Sequence, residues 1–313
     1  MATIGTWNLE NLFRPGEDGG PSGETEYDAK LDTLAATIES MDPDVLMVQE
    51  VGTPEALDDL AERVGGRWYT ELAEPDGRGI RVGAMFRPAA GAIEQITDFP
   101  DGLRPIQVDD SGTRVGSLGR AGLHVRVRLG GETVDIVTAH LKSKLLTFPG
   151  GRFNPRDEDE RARYANYALH RRAAEAAGVR AYVTALLEGE GQERAVVVAG
   201  DLNDEVQAAT TQILLGPPGS EIGTGGHDRP DAGDGMRLWN LAPLIPTEHR
   251  YSRVYRGRRE LIDHVLVSHA VLDVVEEVTT AGPGETPSIT DTPTERQDEP
   301  GSDHRPVVVT LEL

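Results

Sequence analysis

Six short stretches of this 313-residue chain place carboxylates, amides and imidazoles where apolar runs stop. Trp7-Asn8-Leu9-Glu10-Asn11 follows the opening run, and Gln49-Glu50 ends Asp44-Val45-Leu46-Met47-Val48. His140-Leu141-Lys142-Ser143-Lys144 follows Val137-Thr138-Ala139, and Gly200-Asp201-Leu202-Asn203-Asp204 follows Val196-Val197-Val198-Ala199. Asp263-His264 follows Leu261-Ile262, and Ser302-Asp303-His304-Arg305 precedes the last run. A buried strand does not end in unpaired polar groups without cost. Each stretch taken alone has an ordinary reading: Asn8 as a turn residue, Glu50 as a surface carboxylate, Asp201 as a strand-to-turn Asp. Together they suggest one site, because ligands of open α/β sheets collect where strands end.

These residue types suit phosphate chemistry. If its segment stays extended, Asp201 shares a face with Asn203, and Gly200 before them permits a tight turn. Lys142 and Lys144 are two of only three lysines, with Lys30 the third, in a chain that otherwise uses arginine. A compact ammonium neutralises phosphate as a point charge, so at least one of the pair is expected to face phosphate. Asp263 supplies a carboxylate that could orient an imidazole and fix its tautomer. Cysteine is absent, which excludes disulfides, thiolate zinc sites and a thiol nucleophile. The remaining oxygen and imidazole donors favour a hard cation, Mg²⁺ with Mn²⁺ or Ca²⁺ as alternatives. No phosphate-binding Gly-Lys loop, zincin helix or nucleophile elbow is found, and Ser302 lacks an oxyanion loop beside it, which leaves it a local turn role.

The elements that must position these groups are strands over Thr3–Asn8, Val45–Gln49, Val82–Phe86, Leu123–Leu129, Val134–Ala139, Ala195–Ala199, Leu261–Val267 and Pro306–Leu311, read from apolar runs. Helical periodicity lies between them over Lys30–Met41, Pro54–Val64 and about Asp157–Leu187. Such alternation implies an α/β layered sandwich, spread too evenly for two clean domains. Loops rich in Gly, Pro and Asp are expected at Pro15–Thr25, Asp98–Arg120, Phe148–Asp157, Gly216–Gly235 and Ala281–Gly301. The first residues lack a secretory pattern and no apolar run of about 20 residues occurs, so a soluble cytoplasmic monomer is expected, without membrane or obligate protein partner. A net charge of −22 and the lack of any long basic tract argue against broad attraction to duplex DNA or anionic membrane.

In this order, the segments resemble the endonuclease/exonuclease/phosphatase superfamily, which includes pancreatic deoxyribonuclease, abasic-site endonucleases and inositol-polyphosphate phosphatases. The resemblance runs from Thr6-Trp7-Asn8 to Ser302-Asp303-His304. Asn11-Leu12-Phe13, the His140–Lys144 and Gly200–Asp204 segments and Ile262–Ser268 look most like bacterial nuclease-type members. It implies a four-layer α/β/β/α sandwich, two packed mixed sheets flanked by helices, as a single catalytic domain over 1–313. Carried over by position, Glu50 is the principal metal ligand, with Asn8 and Asp303 helping to hold the metal or its waters. Asp201 orients or deprotonates the attacking water, Asn203 holds the scissile phosphate, His304 contacts it and Asp263 orients His304. His140 is a second imidazole facing the phosphate and leaving oxygen. Arg81, with Lys142 and Lys144, is expected on the substrate side. The implied activity is divalent-metal-dependent hydrolysis of phosphodiesters in nucleic acid or a nucleotide-containing molecule by in-line water attack. A phosphomonoesterase for a small-molecule, sugar or lipid-headgroup phosphate is the alternative. A silent binding module is disfavoured, since no motif residue is missing.

Overall fold

The apolar runs form strands buried on both faces, which is why they read as continuous rather than alternating. A computed structural model describes residues 1–224, 229–280, 282, 284–290, 292 and 295–313. In chain order it contains β1 (Ala2–Leu12), α1 (Glu24–Met41), β2 (Val45–Val51), α2 (Pro54–Val64), β3 (Tyr69–Leu72), β4 (Arg81–Phe86), β5 (Ala92–Asp98), β6 (Ile106–Gln107), β7 (Arg114–Val115), β8 (Ser117–Leu129) and β9 (Glu132–Thr138). Then follow α3 (Glu158–Leu187), β10 (Ala195–Asp201), α4 (Ala209–Leu215), β11 (Trp239–Asn240), β12 (Arg253–Tyr255), β13 (Arg258–Glu260), β14 (Asp263–Val267), α5 (His269–Leu272), β15 (Val275–Thr280), β16 (Ser288–Ile289) and β17 (Val307–Leu311).

One six-stranded sheet has the order β15-β17-β1-β2-β4-β3, the other β11-β14-β10-β9-β8-β5. They face each other across Ile4, Met47, Phe86, Val125, Ile136, Val197 and Val309. On the outer face of the first sheet, Leu46 and Val48 pack against Leu34 and Ile38 of α1 and Leu57 of α2. On the outer face of the second, Val137, Val196 and Val198 pack against Val179 and Val183 of α3 and Leu214 of α4. These are the four expected layers. α3 begins where the sequence places it, because the Asp157 side chain accepts a hydrogen bond from the Glu160 amide at 2.7 Å.

Several elements are absent from the sequence reading. The expected loop at 98–120 contains β6, β7 and the start of β8, and β3 and β5 are half-exposed strands whose polar residues hide their pattern. α1 starts at Glu24, six residues before the first apolar repeat suggested. Residues 225–228 of the expected Gly216–Gly235 loop, and 281, 283, 291, 293 and 294 of Ala281–Gly301, lie outside the described residues. Among the described residues no helix is long and apolar enough to cross a membrane.

The topology puts the functional strand ends on one edge. β1 and β2 are parallel, with Asn8 beside Gln49, while β17 runs antiparallel to β1, so its entry segment 302–305 lies at the same end. In the other sheet β9 and β10 are parallel and β14 is antiparallel, which pairs Asp201 directly with Asp263. A bridge pairs His140 with Asp201. Beneath the site, the buried Gln49 amide donates to Thr6 Oγ1 at 3.0 Å and across the sheets to Thr138 Oγ1 at 3.1 Å.

Candidate active site

Strand ends from both sheets meet in a cavity of about 360 Å³ whose wall includes Glu10, Glu50, His140, Asp201, Asn203, Asp303 and His304. The Asn8 amide nitrogen ties the sheets together, donating to Glu50 Oε1 at 3.1 Å and Asp201 Oδ2 at 3.0 Å. Asn8 Oδ1 accepts from the Glu10 amide at 2.9 Å, so the side chain is held at both ends and fixes the positions of the two carboxylates. A second cross-sheet link joins His304 Nδ1 to Asp263 Oδ2 at 2.7 Å. His140 Nε2 lies 3.4 Å from Asp201 Oδ2 and 3.9 Å from Glu50 Oε1.

Backbone geometry marks the same place. Among the described residues, seven non-glycine residues have positive φ. Asp42 and Glu188 cap α1 and α3, and Arg256 turns a hairpin, but Glu10, Asn11, Glu50 and Asn203 all line the cavity. Left-handed backbone without glycine costs about 1–2 kcal/mol per residue and persists where surroundings over-determine it.

The charges are crowded. Burial and then Asp263 push the Asp201 carboxyl up to about 7. Burial and then Asp303 push Glu10 up to about 7, against Arg296, which grips it at 2.8 and 3.1 Å. Burial opposes the charged form of His304 but is outweighed by Asp263 and Asp303, raising it to about 10. His140 is pushed well below its ordinary value by burial and then by Arg120 and His304. Glu50 and Asp303 on the cavity wall offer oxygen donors of the kind a hard divalent cation takes. Ligand atoms of Asp201, Asp263 and His304 also lie within 4.8 Å of one another. That trio is already joined by the His304–Asp263 hydrogen bond and by an imidazolium charge, so it suits proton handling better than a cation.

The structure therefore brings together Asn8, Glu50, His140, Asp201, Asn203, Asp263, Asp303 and His304. One amide hydrogen of Asn203 goes to the Leu141 carbonyl at 2.9 Å. Lys144 is on the cavity wall, paired with Asp204 at 3.1 Å. Lys142 is elsewhere: its ammonium folds back on Ser143 O, Ser143 Oγ and Leu145 O at 2.8–3.2 Å. It lines an adjoining cavity of about 510 Å³, where burial lowers it to about 8. Arg81 is also outside the site, its guanidinium donating to the Gly52 and Gly79 carbonyls. Gly200 does not make a turn. β10 runs through it, and a Cβ there would sit 2.2 Å from the Ala139 carbonyl oxygen, so glycine permits close approach of β9 and β10.

Sequence reasoning missed Glu10, Arg78, Arg120, Arg253 and Arg296, all on the cavity wall. Arg253 belongs to a readable signal, five arginines between 250 and 259 in an acidic chain. Arg78 and Arg120 had no such signal: Arg78 is a single arginine in a polar loop, and Arg120 stands near the start of β8, inside the stretch read as a loop.

The sequence matches the Endonuclease/Exonuclease/phosphatase family over residues 5–304. No curated protein matches it. Among solved structures it is similar to the human Nocturnin catalytic domain with bound sulfate anion, at 14% identity and TM-score 0.58 over 98% of this chain and 93% of that one. Truncated Caenorhabditis elegans TDP2 gives 15% identity and TM-score 0.55, covering 99% and 97%. A Bacteroides thetaiotaomicron mannosyl-6-phosphatase gives 14% and 0.57, covering all of both chains. At these identities the likeness speaks for the fold alone.

Proposed function

Since the chain belongs to the endonuclease/exonuclease/phosphatase family and is thus a phosphoric ester hydrolase, we propose that it cleaves phosphodiesters of nucleic acid or a nucleotide-containing molecule by in-line attack of water. The observation carrying this reading is the pairing of an acceptor and a donor across one cavity: Asp201, hydrogen-bonded to Asn8, faces the space that His304 enters from the other sheet on Asp263. The catalytic unit spans the chain, since its residues run from Asn8 to His304.

Asp201 orients the water and takes its proton, a role suited to a carboxyl held near neutrality. The His304 imidazolium, fixed by Asp263, donates to a phosphoryl oxygen and stabilises its growing charge. His140, kept neutral, stands 3.4 Å from Asp201 on the side of the leaving oxygen. Asn203 and Lys144 complete the phosphate wall. Glu50 and Asp303 would hold a divalent ion, Mg²⁺ with Mn²⁺ or Ca²⁺ as alternatives, whose charge neutralises phosphoryl oxygens and the leaving group. Asn8 sets the position of Glu50.

The small cavity, within the usual range for compact ligands, favours a second reading, a phosphomonoesterase like the mannosyl-6-phosphatase neighbour. Chelator-stripped protein supplied with each metal should hydrolyse bis-p-nitrophenyl phosphate and nick plasmid. Asp201→Asn should lose about 10²–10⁴-fold in turnover. Metal-dependent turnover of p-nitrophenyl phosphate alone would move the assignment to the monoesterase, and an active Asp201→Asn would refute the mechanism.

A further inference from the structure

The basic run at 250–259 forms a hairpin on the rim of the catalytic cavity. β12 and β13 are joined by a two-residue turn, Arg256-Gly257, with φ of 48° and 76°, signs that fit the twist-compatible hairpin turn. β16 pairs alongside β12 and braces it. Arg253, Tyr255 and Arg258 line the cavity wall. Arg253 and Arg256 flank the Tyr255 ring at 5.6 and 5.5 Å, and Arg259 and Arg305 flank Tyr251 at 4.4 and 4.9 Å.

Charge here runs against the rest of the molecule. Residues 250–260 carry five arginines and one carboxylate, Glu260, in a chain of net charge −22. Glu260 holds Arg253 at 2.9 Å and Arg258 at 3.0 Å. Arg250 and Arg259 donate to backbone carbonyls of Ile245, Pro243 and Glu248, which orient a guanidinium without neutralising it. The hairpin is also fixed to the reacting groups. Arg253 bridges His304, the Arg305 amide donates to Ser252 O at 2.7 Å, and Ser252 Oγ accepts from the Asp263 amide at 3.2 Å.

We propose that this hairpin docks single-stranded nucleic acid, whose backbone runs over the arginines and across the catalytic cavity toward Arg78. The inference rests on the phosphodiesterase reading above and selects the substrate within it. Exposed arginines at 256, 258 and 259 beside the half-buried Tyr255 ring make a basic ribbon suited to unpaired bases and one phosphate backbone, while the Tyr251 ring is buried against Arg259 and Arg305 and supports the ribbon from within. The ribbon is two strands wide, about 5 Å between them, and the acidic remainder of the surface repels the second backbone of a duplex. A small phosphate ester has no use for arginines beyond the cavity.

The test measures fluorescence anisotropy of chelator-treated protein with labelled oligothymidylate and oligouridylate of roughly 15 nucleotides, a duplex of equal length, and phosphatidylserine vesicles. Single strands should bind best, with salt-dependent affinity. Arg256→Gln combined with Arg259→Gln should cost at least about tenfold and flatten the log–log salt slope by about 1.4, while lysine at both positions should keep the slope. Neither residue lines the cavity, so metal-loaded turnover of bis-p-nitrophenyl phosphate should stay within about twofold, and an unchanged thermal melt would show an intact fold. Unaltered single-strand affinity in the glutamine variant, or tighter binding of duplex or vesicle, overturns the proposal. The two labelled strands report which sugar is preferred. Binding without hydrolysis of the small diester would fault the catalytic reading and leave the surface standing; hydrolysis without binding would do the reverse.

Discussion

His304 and His140 are both buried, both beside Asp201, and driven in opposite directions. Burial acts against the charged form of each ring. For His304 that cost is exceeded by the directly bonded Asp263 and by Asp303 and Asp201. For His140 the cost of burial is reinforced, first by Arg120 and then by His304, Arg78 and Lys142, and this outweighs the Asp201 and Glu50 carboxylates 3.4 and 3.9 Å away. His140 Nδ1 has no hydrogen-bond partner among the described residues. The difference shows that equal depth does not set protonation: the balance of all the surrounding charges does, and it favours a charged donor on one side of the cavity and a neutral ring on the other.

The largest effect should come from removing the charge that separates them. Asp263→Asn should lower kcat by about 10²–10⁴-fold and return His304 from about 10 toward its ordinary 6.5, read by NMR titration of ring protons in metal-free protein. His304 is raised in the folded state, so its contribution to stability is complete below the unfolded value of 6.5 and is lost as pH rises through about 10. The stability gap between wild type and Asp263→Asn should therefore close at high pH. A variant whose His304 stayed charged above pH 9 would break the comparison. Gly200→Ala should act on the other ring. Its methyl meets the Ala139 carbonyl next to His140 and the strand carrying Asp201. We expect a loss of about 1–3 kcal/mol in urea unfolding and a disturbed His140 titration with that of His304 preserved; unchanged stability would mean that β9 and β10 can separate freely.

Most of the cavity floor was legible because polar residues interrupt apolar strands, and burial on both faces makes such interruptions visible. Asn8, Glu50, Asp201, Asp263 and His304 all carry that signal. The layers were legible for the same reason, whereas β5, whose Ile93, Glu94 and Gln95 are exposed, carried no pattern to read. Gly200 was found but given the wrong task, since close approach between strands is a tertiary fact. Glu10 resembles any surface glutamate until Arg296, 286 residues away, closes on it. The arginine hairpin was readable, but averaging charge over the whole chain concealed it.

The smallest effect separates the cations that matter to His140 from one that only looked suitable. Arg81 starts the strand next to Gly79, yet its guanidinium is bound to the Gly52 and Gly79 carbonyls and is not among the leading charges acting on His140. Arg81→Gln should therefore leave kcat within about twofold and the His140 titration in place, while costing about 1 kcal/mol through the lost carbonyl contacts. Arg120→Gln, as its counterpart, removes the strongest positive neighbour and should let His140 titrate at higher pH than in the wild type. If Arg81→Gln moved that titration as far as Arg120→Gln, the ring would be sensing diffuse positive charge, and the division between a charged and a neutral imidazole would not depend on the particular arginines on the cavity wall.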